Sequence, residues 1–178
     1  MITIQRLIIR EFKPSDWKAV HIYASNAEIL KYEAWGPNTE AETKAFIQKA
    51  IAAQHVHPRV DFEMAVTLLE SDVLIGGVGF RINLKKRTRG DFGYCFNPDY
   101  WNQGYATEAA QALIDYMVKN HSIKQIEATC DIGNWASKRV IEKCGLKITE
   151  VVENDMEMKG RIRDSFYVKK IFVETKDS

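Results

Sequence analysis

The hydrophobic pattern of the chain separates into stretches where apolar and polar residues alternate and stretches where apolar residues recur every three to four positions. Alternating or continuous apolar runs are typical of strands, and the wider spacing is typical of helices. The first pattern predicts seven strands, over residues 2–12, 62–70, 73–83, 90–97, 124–132, 146–153 and 162–173. The second, with its capping residues, predicts helices over residues 14–24, from Asn26 through Leu30, after Thr39, over 104–121 and over 134–144.

The order of these elements predicts the fold class. Three strands follow one another between residues 62 and 97 and are expected to form an antiparallel meander, whereas a helix separates the strands at 90–97 and 124–132. A strand–helix–strand crossover within such an arrangement makes a mixed α/β sheet. The chain has no low-complexity stretch, detectable repeat or linker rich in proline and glycine, so residues 1–178 are expected to form a single domain.

Composition narrows the class of partner. Lysine and arginine total 25 and aspartate and glutamate total 24, so the chain lacks the basic excess that usually accompanies binding to nucleic acid. The apolar run at the N-terminus is interrupted by Arg6, Arg10 and Glu11, so it matches neither a signal peptide nor a membrane-spanning helix. We therefore expect a soluble, cytoplasmic protein without a nucleic-acid or membrane partner.

The spacing of cysteine and histidine does not suggest a metal site. The three cysteines have no C-x-x-C spacing and fall within apolar patterns, so they are expected to be reduced core residues. The histidines show no pairing typical of metal ligands (His21, His55, His57 and His121). The sequence therefore predicts that no metal is bound.

The stretch YWNQGYATEA, residues 100–109, joins a strand to a helix. Pro98 ends the strand because proline has no N–H for the ladder. The helix that follows exposes free backbone N–H groups and the positive end of its dipole, and Gly104 has no side chain to keep a phosphate away. The stretch can therefore cradle a diphosphate. A glycine that only relieves strain in the strand-to-helix turn would explain the same residue.

Three ordered segments carry a resemblance to a known family: IQRLIIREFKPSDW, DFGYCFNPDYWNQGYATEAAQALIDYM and IEATCDIGNWASKRVIEKCGLK. The resemblance covers nearly the whole chain and is to the GNAT acyl-CoA N-acyltransferases, in particular the branch similar to ribosomal-protein alanine N-acetyltransferases. It implies a mixed, mostly antiparallel sheet of about seven strands flanked by helices. It also implies that the fourth and fifth strands splay apart, with the pantetheine arm of acetyl-CoA between them and its pyrophosphate on the amides after the fourth strand.

The same resemblance implies which residues bind acetyl-CoA as co-substrate. The family signature Q/R-x-x-G-x-G/A falls on residues 101–106, with Trp101 in place of the usual Gln or Arg. Phe96 and Asn97 match the residues whose backbone pairs with the pantetheine amides. The phosphate contacts are expected from backbone amides, with a further hydroxyl from Thr107, over the residues Asn102, Gln103, Gly104, Tyr105, Ala106 and Thr107.

The segment NWASKRV supplies a candidate general acid. Asn134 is placed to cap the helix that follows, and Ser137 then lies at the third helical position with its hydroxyl in the first turn. In the family the matching asparagine contacts the cofactor, and the matching serine is proposed to protonate the departing thiolate. Ser137 is therefore predicted to be catalytic, and a structural cap followed by an exposed serine is the alternative.

The general base is less clearly marked. Asp91 begins the fourth predicted strand, where relatives often carry glutamate facing the acceptor, but it could equally be a solvated partner of Arg89. Glu63 is a second candidate. Trp35 matches the region that borders the acceptor groove in the family and could equally be a core anchor.

These residues together predict an acetyl-CoA-dependent N-acetyltransferase in which a primary amine attacks the thioester directly. No histidine is patterned near Cys95 or Cys130, so an acyl-enzyme is not expected. The acceptor favoured by the resemblance is a protein N-terminal α-amine. The alternatives are a small amine, such as an amino acid, polyamine or aminoglycoside, and a non-catalytic acyl-CoA-binding module. A homodimer is one option for the assembly.

Overall fold

Eight strands pair into one sheet in the order β1-β2-β3-β4-β5-β6-β8-β7 in the computed structural model, which describes residues 1–172. The strands are β1 (Ile2–Thr3), β2 (Leu7–Glu11), β3 (Asp61–Leu68), β4 (Leu74–Ile82), β5 (Arg89–Phe96), β6 (Gln125–Asp131), β7 (Lys147–Met158) and β8 (Arg161–Ile171). The helices are α1 (Trp17–Ala24), α2 (Glu40–Ala53), α3 (Tyr105–His121) and α4 (Trp135–Lys143), with short 3₁₀ turns at Pro14–Asp16 and Pro98–Tyr100.

The predicted mixed, mostly antiparallel sheet flanked by helices is confirmed. Each face of the sheet carries its own buried cluster. On one face Ala65 of β3 packs with Val20 of α1 and Ile47 of α2. On the other face Val66 of β3 belongs to the cluster that contains Leu113 of α3 and Ile141 of α4. The strand count is eight rather than about seven because the first predicted strand, over residues 2–12, is interrupted at residues 4–6. Its two parts, β1 and β2, pair antiparallel with each other.

The helix predicted from Asn26 through Leu30 is wrong. That segment forms turns, and the Asn26 side-chain oxygen accepts the backbone N–H groups of Glu28 at 3.0 Å and Ile29 at 3.4 Å. An asparagine whose side chain accepts hydrogen bonds from the backbone of the next residues competes with helix propagation. The run of residues before Gly36 is also too short to offset the free-energy cost of nucleating a helix. Leu30 is still fully buried, which anchors the connection between α1 and α2.

The two strands that the resemblance predicts to splay are β5 and β6, and the structure confirms that they do. They run parallel and pair only at Arg89 with Gln125 and at Gly90 with Ile126. Beyond those pairs β5 continues along β4 to Phe96, and β6 continues along β8 to Asp131. A wedge-shaped gap therefore opens in the middle of the sheet, towards the carboxyl ends of both strands.

The helix that follows β5 begins where the sequence predicts. Gly104 is the N-cap of α3 and has a φ of +85°, a left-handed conformation that favours glycine. The helix packs on the sheet through a stripe of buried residues that includes Ala109, Leu113 and Met117. Within residues 1–172, no helix combines the length and apolar character needed to span a membrane.

Candidate active site

A cavity of about 850 Å³ opens where β5 and β6 separate. Strands β5, β6, β7 and β8 line it, the connection between α1 and α2 covers one side, and the first turns of α4 reach it from the other face of the sheet. Its polar and charged lining residues include Glu33, Asp91, Tyr94, Glu127, Thr129, Ser137, Glu150, Arg163, Tyr167 and Lys169. The predicted acid and the predicted base therefore lie in the same cavity.

The start of α3 presents a row of backbone donors. Within the described part of the chain, the N–H groups of residues 102–107 have no hydrogen-bond acceptor, and the first helical bond runs from the Glu108 N–H to the Gly104 carbonyl at 3.0 Å. Asn102 and Gly104 both have positive φ angles, of 60° and 85°, and backbone of this kind can turn successive N–H groups towards one anion. These residues fit a diphosphate.

The geometry of Gly104 is consistent with both roles that the sequence suggested, a diphosphate cradle and relief of strain in the turn. Its positive φ alone favours glycine, so the turn needs the residue whether or not a phosphate binds. A Cβ added there would meet only the guanidinium of Arg6, at 3.5 Å from Nη2.

Arg6 secures the start of α3, a role that sequence analysis missed. Its Nη1 donates to the Gln103 carbonyl at 3.1 Å, its Nη2 is 2.7 Å from the Glu108 carboxylate, and its guanidinium lies 4.4 Å from the centre of the Tyr105 ring. These contacts tie the turn between β1 and β2 to the helix. In the sequence, Arg6 stood out only as a charge that interrupts the apolar run at the N-terminus.

The backbone at the end of β5 is partly used within the protein. The Asn97 N–H donates to the Ile75 carbonyl at 2.9 Å, and the Asn97 carbonyl accepts the Tyr100 N–H at 3.0 Å. The Phe96 carbonyl accepts the indole N–H of Trp101 at 2.8 Å. Of the two residues expected to pair with pantetheine, Asn97 therefore has no free backbone N–H to offer a ligand amide.

Ser137 is held by contacts on both sides. The Asn134 side-chain oxygen accepts the Ser137 backbone N–H at 3.0 Å, which confirms the predicted cap of α4. The Ser137 hydroxyl lies 2.9 Å from the hydroxyl of Tyr94 on β5, and that phenol also lies 3.2 Å from the Ser137 carbonyl. Burial raises the pKa of Tyr94 well above its ordinary value, so the phenol stays protonated at neutral pH. Sequence analysis placed Tyr94 only as one position of an alternating strand.

Two of the carboxyl groups that line the cavity, those of Asp91 and Glu33, have raised pKa values. Loss of hydration raises the pKa of Asp91, and Arg81 on the neighbouring strand partly offsets the effect. Loss of hydration likewise raises the pKa of Glu33, which Arg163 and Lys159 partly offset. Arg89 lies 3.8 Å from Glu127, so the sequence-stated alternative of an Arg89–Asp91 pair is not what forms.

Glu63 lies elsewhere. It lines a separate cavity of about 50 Å³ beneath α2, with Lys49, Asp61 and Arg81. Burial raises the pKa of its carboxyl group. The second base candidate is therefore not among the groups that line the main cavity. Glu33, which is, was missed because it lies in an irregular connection where no periodic pattern marks a residue.

Trp35 belongs to the rim of the cavity. Its side chain is 40% exposed, so it is not a core anchor. The Lys159 ammonium, from the turn between β7 and β8, donates to the Trp35 carbonyl at 2.8 Å and to the Leu30 carbonyl at 2.9 Å. The connection between α1 and α2 is thus fastened to the turn of the β7–β8 hairpin.

The three cysteines are free thiols, as predicted, with Cys130 and Cys144 buried and Cys95 half-buried against one of the core clusters. Burial raises the pKa of Cys95 to about 12 and the pKa values of Cys130 and Cys144 to about 11. Groups with such values carry almost no thiolate at neutral pH, and the thiolate is the nucleophilic form. Within residues 1–172, no cluster of three or more His, Cys, Asp or Glu residues has the arrangement of a metal site.

Comparison with known proteins identifies the fold. A family model described as the acetyltransferase (GNAT) domain matches residues 6–147. The uncharacterized N-acetyltransferase YnaD of Bacillus subtilis (strain 168) is 39% identical over 146 residues, which are 82% of this chain and 82% of that protein.

Solved structures agree with that match. The crystal structure of a GNAT-family acetyltransferase from Bacillus anthracis aligns with a TM-score of 0.87 and 33% identity, over 96% of this chain and 97% of that one. The ribosomal L7/L12 α-N-protein acetyltransferase RimL in complex with coenzyme A has the same fold, with a TM-score of 0.84 and 17% identity over 96% of this chain and 97% of that one. The chain belongs to the GNAT family and is an acetyl-CoA-dependent N-acetyltransferase.

Proposed function

We propose that this enzyme acetylates the α-amine at the N-terminus of a peptide or protein by direct attack on the thioester, with Ser137 as general acid and Asp91 as general base. The observation that carries the proposal is the cavity at the gap between β5 and β6. Its lining includes the Ser137 hydroxyl on α4 and two carboxyl groups with raised pKa values, Asp91 and Glu33. Acid and base candidates thus meet in one cavity.

The donor would be held by backbone rather than by side-chain charge. The free N–H groups of residues 102–107 and the N-terminal dipole of α3 suit a diphosphate. The unpaired inner edges of β5 and β6 suit an extended arm that carries amide groups. When bound, acetyl-CoA supplies the activated acetyl group.

The acid and base have modest tasks, which suits the groups present. An α-amine with a pKa near 8 is neutral in roughly a tenth of molecules at pH 7, so a carboxylate or a water it orients is sufficient as base. A departing thiolate with a pKa near 8.5 gains about 2 kcal/mol from protonation at pH 7. A neutral hydroxyl such as that of Ser137 can supply this proton. The weakly acidic cysteines support direct attack over an acyl-enzyme.

The choice of acceptor rests on this chemistry and on the resemblance to ribosomal-protein N-acetyltransferases. A lysine side chain, with a pKa near 10.4, is neutral in less than about 0.1% of molecules at pH 7 and would need a stronger base. Trp35, 40% exposed at the rim, offers an apolar surface beside the opening. A small amine remains the alternative acceptor.

The test is a screen of purified protein with acetyl-CoA against peptides with free N-termini, the same peptides with blocked N-termini, and small amines. Release of free coenzyme A thiol measures turnover, and mass spectrometry locates the acetyl group. Acetylation of free but not blocked peptides is the expected result. Turnover with polyamines or aminoglycosides alone would favour the small-amine alternative, and thiol release with no amine would exclude both.

A further inference from the structure

One guanidinium in the cavity has no carboxylate partner. Arg163, on β8, is 7% exposed and lines the cavity. Its Nε donates to the Ser165 hydroxyl at 2.7 Å, and its Nη2 donates to the Thr129 hydroxyl at 3.0 Å. In the part of the chain that the structure describes, no carboxylate lies within ion-pair distance of Arg163, and its Nη1 has no hydrogen-bond partner.

The Nη1 edge of Arg163 is accessible from the cavity. The only buried side-chain nitrogen or oxygen without a partner among the described residues is Nε of Arg10, so Nη1 of Arg163 is in contact with solvent. The side chain is nevertheless almost fully buried. The free edge of the guanidinium therefore faces the open space that the cavity provides.

The surroundings fix the direction of this side chain. Ser165 is itself fully buried and donates to Asp155 at 2.7 Å, so it is a rigid support between Arg163 and a carboxylate. Thr129 supports the other end of the guanidinium from β6. Two neutral hydroxyls orient the charge without neutralising it. A buried charge without a direct counterion is costly, and a ligand anion would offset that cost.

Charges of both signs are available to one acceptor in this cavity. Glu33 is close enough to Arg163 for the guanidinium to lower its carboxyl pKa, yet the two form no ion pair. Asp91 lies in the same cavity. A molecule with an ammonium group at the carboxylates and a carboxylate at Arg163 would complement all three.

We propose that Arg163 binds a carboxylate of the acceptor, so that preferred acceptors carry a carboxylate close to the amine that is acetylated. This inference rests on the proposed N-acetyltransferase function and defines the acceptor more narrowly. The carboxylate can come from two sources: the α-carboxylate of a free amino acid, or the side chain of an acidic residue at the start of a peptide. In either case arginine offers two parallel N–H groups, a geometry that suits carboxylates.

Matched pairs of acceptors test the proposal on the wild-type enzyme. The first pair is L-alanine and L-alaninamide, and the second is a peptide amide that begins with aspartate and the same peptide with asparagine. A nearby carboxylate raises the pKa of an amine, so kcat/KM is compared per neutral amine. In at least one pair the carboxylate member should be preferred by about tenfold or more. The pair that shows the preference identifies the source.

Variants then assign the preference to Arg163. R163Q should bring the ratio within the responding pair close to one, through loss of kcat/KM for the carboxylate member. R163K, which keeps the charge without the paired donors, should retain part of the ratio. R87Q removes a cation from the exposed loop between β4 and β5 and should leave the ratio unchanged. Circular dichroism checks that each variant folds. If R163Q does not fold, the ratio within the responding pair is compared between R163K and the wild type.

Four outcomes would overturn the inference, and they differ from one another. Equal kcat/KM within both pairs, or a preference that survives in folded R163Q and R163K, would exclude the carboxylate role while the N-acetyltransferase function stands. Acetylation of none of the four acceptors, with other amines acetylated, would exclude α-amines with a carboxylate as substrates. A lack of turnover with any amine would remove the proposed function and this inference with it.

Discussion

The side-chain hydroxyls of Tyr94 and Ser137 lie 2.9 Å apart, one on the part of β5 that does not pair with β6 and the other in the first turn of α4. This bond crosses the gap at which the sheet opens. Tyr94 is mostly buried and protonated, so it can hold the serine hydroxyl in one direction. The pair combines the group proposed to give a proton with a partner that fixes its orientation.

Ser137→Ala should lower kcat by about tenfold to thirtyfold, because protonation of the thiolate is worth about 2 kcal/mol at pH 7. Binding of acetyl-CoA, measured by calorimetry, should change little, since the backbone donors of α3 are untouched. Steady-state thiol release gives the kinetic comparison. A wild-type kcat for this variant would remove Ser137 from the mechanism.

Tyr94→Phe should lower kcat by less than Ser137→Ala, by a few-fold, because the ring still packs but no longer orients the serine. The informative comparison is the double variant. If Tyr94 acts only through Ser137, Tyr94→Phe should cost nothing further in the Ser137→Ala background. Additive losses in kcat would show that the tyrosine acts on the reacting atoms by itself.

Asp91→Asn should change the shape of the pH profile. The base must be deprotonated to act, and burial raises the pKa of Asp91. As pH is lowered, log kcat/KM should fall with slope one below the amine pKa near 8, where only the amine takes up a proton. Below the pKa of Asp91 both groups take up protons, so the slope should become two. The variant should keep slope one throughout the acidic range. Glu33→Gln is the matched control, and if it removes the steeper slope while Asp91→Asn does not, Glu33 is the base.

Gly104→Leu should abolish tight binding of acetyl-CoA and also destabilise the fold. A residue with a side chain at a φ of +85° costs on the order of 1–2 kcal/mol, which is smaller than the stability of a typical domain. Gly160→Leu is a control with the same backbone cost: its φ is +74° and nothing lies within 4 Å of an added Cβ. Melting temperatures should fall in both, but calorimetry should show loss of acetyl-CoA binding only at Gly104.

Glu63→Gln should stabilise the protein at pH 7. Burial raises the pKa of Glu63 in the folded state, so ionisation of this carboxyl group disfavours folding. The favourable contribution of the protonated group to stability is present in full only below the unfolded pKa of about 4.3. That contribution is lost as pH rises through the folded pKa. The gain in the free energy of unfolding should therefore disappear in denaturant titrations at about pH 3.5.

Glu42→Gln should change the free energy of unfolding in the opposite direction. Hydrogen bonds from the Thr39 backbone and hydroxyl lower the pKa of Glu42, so this carboxylate stabilises the fold above the unfolded pKa and the effect is lost as pH falls. The variant should be less stable than the wild type at pH 7. Stabilisation by both substitutions would contradict the assignment of these two carboxyl groups.

The parts of this protein that follow from local pattern could be predicted from its sequence. The capping box at Thr39, the Asn134 cap and the glycine at the start of α3 all act within a few residues. The gap between β5 and β6 was predicted only through the family resemblance. Alternation of apolar and polar residues along a strand does not show where that strand stops pairing with a neighbouring strand.

The residues that were missed share a different cause. Tyr94, Glu33 and Arg163 gain their roles from neighbours distant in the chain: Tyr94 contacts a residue 43 positions away, and Arg163 bonds one 34 positions away. No spacing rule reaches that far. Asn26 shows the converse, since its local signal for a helix was real but the segment closes into turns instead.

Lys159 and Arg161 fasten the turn before β8 and the start of that strand to the α1–α2 connection, which lines the cavity through Glu33, Ala34 and Trp35. One wall of the cavity is therefore an irregular segment whose position depends on two cations of a distant hairpin, whereas α4 and the strands beside the gap form the rest. Exchanging those two segments as a unit would reshape what enters without disturbing the thioester. Chimaeras between members of this family should therefore swap acceptor preference when both pieces are transplanted together, and lose it when either travels alone.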